Sequence, residues 1–228
     1  MIVRSVYADG SIQKLNLTSS RLKGTLHGFS LSLLQNVTHF DLNVNNFFGN
    51  LLHLTILYLF SNNICGPTPS TLGDLTSWNF LYLHYNELFG PIPIQLENLK
   101  SLTDLVVSYN QINSSIPSSL ANLSNLQYLY LLANKVSSPI AIERGNLKSL
   151  TDLLLSQNQL SRSIPSSLGD LRSLNVLHLS DNQLSGHIPI EIRNLKSLID
   201  LQVSYNQLSG SIPFITRKPE QSTDFIPP

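Results

Sequence analysis

Apolar and polar positions follow one phrase along this chain, Leu-x-Leu-x-x-Asn-x-Leu-x-Gly-x-Ile-Pro, which returns about nine times. Its asparagine recurs at one unvarying step, at Asn62, Asn86, Asn110, Asn134, Asn158, Asn182 and Asn206. In the fifth copy Leu102, Leu105, Val107, Ile112, Ile116, Leu120 and Leu123 are apolar and most residues between them are polar. Leu105-Val106-Val107 predicts a short strand with alternating faces. Asn110 turns the chain, and because its amide both donates and accepts, stacked copies can satisfy the backbone groups left unpaired by the turn. Ile116-Pro117 lacks one donor and favours an extended return path. One copy cannot hide its own leucines, so the copies must stack as a solenoid in which each coil covers the next.

The early copies are irregular. Ser20 and Asn45 occupy the asparagine position one residue too far apart, and the next step, from Asn45 to Asn62, is seven residues short. Part of the return segment is missing there, which predicts a weak junction between the second and third coils. A longer period lies above the first: Asn98-Leu-Lys-Ser-Leu, Asn146-Leu-Lys-Ser-Leu and Asn194-Leu-Lys-Ser-Leu recur at twice the repeat step, as though two repeats had been copied as a block.

Charge narrows the partners. Fourteen basic and fourteen acidic residues cancel, so no basic footprint for nucleic acid exists. The most apolar stretch, Leu51 to Phe60, is too short to span a bilayer, which excludes membrane insertion by this chain. The N-terminal segment offers no apolar run long enough for a signal peptide, so the chain taken alone reads as cytosolic. Against that stand four N-glycosylation sequons, at Asn16, Asn36, Asn113 and Asn122. Cys65, the only cysteine, is placed in a loop as a bystander thiol. Six histidines show no metal-ligand spacing, and neither metal nor cofactor is expected. Asp104, Asp152 and Asp200 share one phase of the repeat and align in a column, two strands apart; they read as solvated surface acids rather than a catalytic pair.

The repeat with its Gly-x-Ile-Pro, as in Leu88-Phe-Gly-Pro-Ile-Pro93 and Leu184-Ser-Gly-His-Ile-Pro189, resembles the plant-specific class of leucine-rich repeat. That class occurs in the ectodomains of plant receptor-like kinases and in secreted polygalacturonase inhibitors. The segment from Gly10 to Leu26 resembles the junction between the N-terminal cap and first repeat of receptor-like kinases. The resemblance implies an α/β-type solenoid of about nine repeats, with a parallel β-sheet on the concave face and irregular or 3-10 segments on the convex face. It divides the chain into a partial N-terminal cap at 1–11, a leucine-rich-repeat domain at 12–213 and a polar, uncapped tail at 214–228. Paired cap cysteines are missing, and so are the Gly-rich loop, His-Arg-Asp and Asp-Phe-Gly elements of a kinase, so the chain reads as non-catalytic, like a fragment of a receptor-like kinase.

Strand alternation then predicts which side chains face out of the sheet. For a repeat whose asparagine is residue n, these are n−6, n−4, n−2 and n−1. Aromatics gather in the third to sixth repeats, at Tyr58, Phe60, Phe80, Tyr82, His84, Tyr85, Tyr109, Tyr128 and Tyr130. Asp152, Gln157, His178 and Asp181 follow as polar positions further along. A contiguous exposed aromatic patch marks an interaction site, so the expected ligand-binding surface is this concave face. Its expected partner is a peptide or protein ligand, including a co-receptor ectodomain; the alternative is a secreted inhibitor of a cell-wall-degrading enzyme that uses the same face. Family resemblance places such a module outside the cell, at the plasma membrane or in the apoplast.

Overall fold

The computed structural model describes residues 3–6, 12–16, 23–25, 39–41, 56–61, 63–141 and 147–213, with side chains from residue 59 onward. The strands of the first half are β1 (Val3–Val6), β2 (Ile12–Asn16), β3 (Lys23–Thr25), β4 (His39–Asp41), β5 (Ile56–Tyr58), β6 (Asn63–Pro67), β7 (Phe80–Tyr82) and β8 (Glu87–Gly90). Then follow β9 (Asp104–Val106), β10 (Gln111–Ser114), β11 (Tyr128–Tyr130), β12 (Lys135–Ser138) and β13 (Asp152–Leu154). The last are β14 (Gln159–Arg162), β15 (Val176–His178), β16 (Gln183–His187), β17 (Asp200–Gln202) and β18 (Gln207–Ser209).

Ten strands form the concave sheet in the order β1-β2-β4-β5-β7-β9-β11-β13-β15-β17. All pair in parallel except β1, which runs antiparallel to β2. The register is one repeat per strand, Phe80 facing Asp104, Asp104 facing Tyr128 and Tyr128 facing Asp152. The shortened step between Asn45 and Asn62 leaves this sheet intact, since His39 pairs with Ile56. It shows instead in a second, eight-stranded parallel sheet, where β3 pairs directly with β6 while β4 stands between their coils in the first. That second sheet was not legible beforehand: its rungs pair only two or three residues each, too few for a period to show. It also absorbs Cys65, which lies in β6 rather than in a loop.

Among the described residues five return paths are closed by a 3-10 helix, at Ser70–Asp74, Ile94–Asn98, Ser118–Asn122, Ser166–Asp170 and Ile190–Asn194. A proline precedes every one of them in extended conformation, and its carbonyl accepts the first helical N–H, as Pro93 does from Leu96 at 3.1 Å. Proline suits this place because its missing donor has no partner to lose there.

Two features hold the coils together. The leucines fill one continuous core: Leu81, Leu83, Leu88, Leu99, Leu102 and Leu105 are inaccessible, as are their counterparts through Leu184. Beside them runs a ladder of asparagines. Asn134 Nδ2 donates to Val107 O of the preceding coil at 3.0 Å and to its own Leu131 O at 3.2 Å, while Oδ1 accepts from Ile112 N at 2.9 Å. Asn86, Asn110, Asn158, Asn182 and Asn206 repeat the arrangement. Nearest the C-terminus the cover stops: Ile212 is 66% exposed where Ile116, Ile140 and Ile164 are buried.

The glycine of the phrase sits at positive φ, between 76° and 99° at Gly66, Gly90, Gly186 and Gly210. Three coils lack it, and Ser114, Ser138 and Arg162 adopt φ values of 74°, 74° and 65° instead. A side chain there is strained. Changing Ser114 or Ser138 to glycine is expected to raise stability by up to about 1 kcal/mol each, the strain relieved exceeding the flexibility added to the unfolded chain. A urea midpoint that falls in either variant would count against this.

Candidate functional site

The residue just before each asparagine is left-handed in every described coil: Ser61, Tyr85, Tyr109, Ala133, Gln157, Asp181 and Tyr205 have φ between 53° and 60°. This conformation is costly for a non-glycine residue, and main-chain bonds to the next coil hold the chain in it, Tyr85 N donating to Ser108 O and Asn86 N to Tyr109 O. The turn throws these side chains onto the rim of the concave sheet. Tyr85 and Tyr109 stack there with ring centroids 4.3 Å apart, and remain 50% and 40% exposed.

Behind the rim the aromatics interlock. Phe60 stacks on His84 at 4.5 Å, Tyr82 and Tyr85 meet His84 edge-on, and Phe80 stacks beside Tyr82 at 6.3 Å. Burial in this cluster pushes the His84 imidazole pKa down, favouring the neutral ring. Two coils further on Tyr128 meets Tyr130 edge-on at 6.0 Å. The predicted aromatics with described side chains therefore share one face, and six of them, Phe60, Phe80, Tyr82, His84, Tyr85 and Tyr109, touch in one chain. Of Tyr58 only the strand backbone is described.

The carboxylate column departs from the sequence reading. Asp104 is only 6% exposed, and none of the three acids is simply solvated. Each accepts a bond from the residue 22 positions earlier on the neighbouring strand: Asp104 from Tyr82 Oη at 2.5 Å, Asp152 from Tyr130 Oη at 3.0 Å, and Asp200 from His178 Nε2 at 2.6 Å. The doubled period of the sequence reappears as this alternation of acid and donor. Desolvation, and then the bond to Asp152, keeps the Tyr130 hydroxyl protonated well past its ordinary range. Asp104, Val106 and Ser108 were all expected to face solvent, yet all three are buried, Val106 between Tyr82 and Tyr130 on the adjacent strands. Gln157 and Asp181 remain exposed on the rim, while Asp152 and His178 are half-buried.

Burial raises the Asp104 carboxyl pKa, opposed by hydrogen bonds from Tyr82 and Thr103. The native state therefore holds this proton more tightly than the unfolded chain, and stability falls as pH rises from the ordinary carboxylate range through the raised native value. Asp104→Asn keeps an acceptor for Tyr82 and removes the buried charge. The variant is expected to be more stable than the parent at neutral pH, with the advantage vanishing near pH 4, as thermal unfolding at both pH values would show. An equal difference at both would contradict the assignment.

Of the sequon asparagines, Asn113 is exposed on β10, and Asn122 is exposed with its Nδ2 donating to Glu97 Oε2 at 2.9 Å. Asn16 lies in β2, where only the backbone is described, and Asn36 is outside the described residues. Among the described residues no helix is long and apolar enough to cross a membrane, and no three His, Cys, Asp or Glu gather as a metal site.

The Leucine Rich Repeat family profile matches residues 53–75, 101–123, 149–171 and 173–195. The chain carries leucine-rich repeats. Its fold is similar to the LRR ectodomain of the plant membrane receptor kinase GASSHO1/SCHENGEN3 from Arabidopsis thaliana in complex with CASPARIAN STRIP INTEGRITY FACTOR 2, at 33% identity and a TM-score of 0.77. That match covers 92% of this chain and 23% of the other. The Arabidopsis receptor kinase HAESA, solved with the peptide hormone IDA and the co-receptor SERK1, is similar at 32% identity and a TM-score of 0.75 over 89% of this chain and 35% of that one. A plant ice-binding protein matches at 25% identity and a TM-score of 0.59, covering 93% and 78%. No curated protein matches the leucine-rich-repeat chain in sequence. The chain thus spans about a quarter to a third of the length of these receptor ectodomains.

Proposed function

We propose that this leucine-rich-repeat protein is a non-catalytic recognition module of the receptor-ectodomain kind, binding an extended peptide or a partner protein along its concave sheet outside the cell. The stacked Tyr85–Tyr109 pair carries the reading. Two aromatic rings held half-exposed on a rigid rim, and backed by Phe60, His84 and Tyr82, offer apolar area already ordered before binding. Receptors of similar fold solved with peptide ligands support a peptide as occupant, and favour this reading over that of an enzyme inhibitor. Its test is selection of a display library of random dodecapeptides on the purified chain, followed by binding of the enriched peptides to a Tyr85→Ala/Tyr109→Ala variant. Enriched peptides that bind the variant as well as the parent would overturn the reading.

A further inference from the structure

We infer that the segment bound on this face is cationic, with arginine or lysine side chains read by the tyrosine rim and by the acids of the seventh to ninth coils; the inference rests on the concave-face reading above. The argument starts from where charge sits. Formal charges cancel over the chain, but they are segregated in space. From Phe60 to Tyr205 the outward positions of the concave sheet hold Asp104, Asp152, Asp181 and Asp200 and neither lysine nor arginine. Two described cations, Arg4 in β1 and Lys14 in β2, belong to the sheet at its N-terminal end, before these coils. The others lie off it: Lys100, Lys148, Arg172 and Lys196 recur ten residues before the asparagine, on the flank leading into the concave strand, while Lys23, Lys135 and Arg162 lie in the second sheet and Arg193 in a 3-10 helix. Over these coils, acids with no lysine or arginine beside them leave a negative potential that a cationic partner neutralises.

The groups on the face match what a guanidinium or ammonium needs. The open ring faces at Tyr85 and Tyr109 attract a cation by its charge and a guanidinium by stacking as well. Asp181 is exposed on the rim four coils beyond Tyr85, and Asp200 keeps nearly half of its side chain open beside His178. Along the stack between Tyr85 and Asp181, Ser156, 7% exposed at an outward position, has no hydrogen-bond partner for its Oγ. From Tyr85 to Asp200 is five strand spacings, about 24 Å, or the reach of about seven residues of extended chain. A peptide of that length can set one side chain on the tyrosines while another reaches the acids. Its charge has to be positive, because a carboxylate at either end would be buried against Asp152, Asp181 or Asp200 with no cation to meet it.

The same dodecapeptide selection tests this, with sequences enriched on the parent assayed on two variants, Asp152→Asn/Asp181→Asn/Asp200→Asn and Tyr85→Ala/Tyr109→Ala. Enriched sequences should carry an excess of lysine and arginine over the starting library. They should lose about tenfold or more in affinity on the triple asparagine variant, and weaken by a similar factor as salt rises from about 50 to about 300 mM. Asparagine keeps the acceptors for Tyr130 and His178; if the triple variant does not fold, Asp181→Asn alone together with the salt series on the parent gives the same readout. Peptides that need the tyrosines but show no cation excess and no loss on the asparagine variants would overturn the cationic inference and leave the concave-face reading standing. Selection that yields no tyrosine-dependent peptide would overturn both.

Discussion

Replacing Asn134 by leucine is expected to lower the unfolding free energy by about 3–5 kcal/mol, although the two side chains are of similar size. Asn134 is buried in the middle of the stack, and its amide serves Val107 O and Ile112 N of the preceding coil as well as Leu131 O of its own. Leucine leaves those groups without partners where water cannot reach, and each orphan costs about 1–3 kcal/mol. The same change at Asn206 should cost less, since the last coils are open and water can replace part of the amide. Urea unfolding of the two variants measures the difference. A central substitution as mild as the terminal one would mean that the ladder orients the turn without supporting it.

The second large effect is on binding. Truncating Tyr85 and Tyr109 together to alanine is expected to weaken rim-dependent peptides by about 3 kcal/mol or more, well over a hundredfold, while leaving the unfolding midpoint almost unchanged. Alanine is the right replacement because Ala133 already occupies the equivalent left-handed position, with φ of 53°, in the next coil. Tyr82 and Tyr130 are poorer probes than their outward phase suggested. Their hydroxyls bond Asp104 and Asp152, so removing Tyr82 strips a buried carboxylate of its donor and disturbs the sheet as well as the surface. Fluorescence anisotropy with labelled selected peptides gives the affinity and urea unfolding the stability. A double variant that unfolds early would show the stacked rings to be part of the frame rather than a surface held ready for a partner.

Both expectations depend on one distinction, between positions whose role is repeated in every coil and positions whose neighbours change from coil to coil. Repeated roles were open to reading along the chain. Leucines that return in constant phase can be buried only by stacking, and an asparagine at each turn has the donors and acceptor that stacked turns lack. The concave strands, their register and the outward placing of Tyr85, Tyr109, Tyr128 and Tyr130 followed from that period and from strand alternation.

Roles that arise between coils were not open in the same way. The second sheet is built from rungs of two or three residues, and short rungs have no period. Alternation told which way Asp104 points but not what surrounds it, because Tyr82, which bonds it, and Phe80 and Tyr128, which stand opposite it, come from adjacent strands, each about one repeat away in sequence. The left-handed turn behind each rim residue was invisible too, since Ser, Tyr, Ala, Gln and Asp all occupy it, and its cost is offset by main-chain bonds to the next coil rather than by residue type. Period and alternation alone establish that the coils stack and which side chains line their common face. Which of those side chains bond one another, and which stay open to a partner, is settled in three dimensions, because lateral contact between coils depends on side-chain size and reach across a strand spacing of about 4.8 Å, a distance no periodicity encodes.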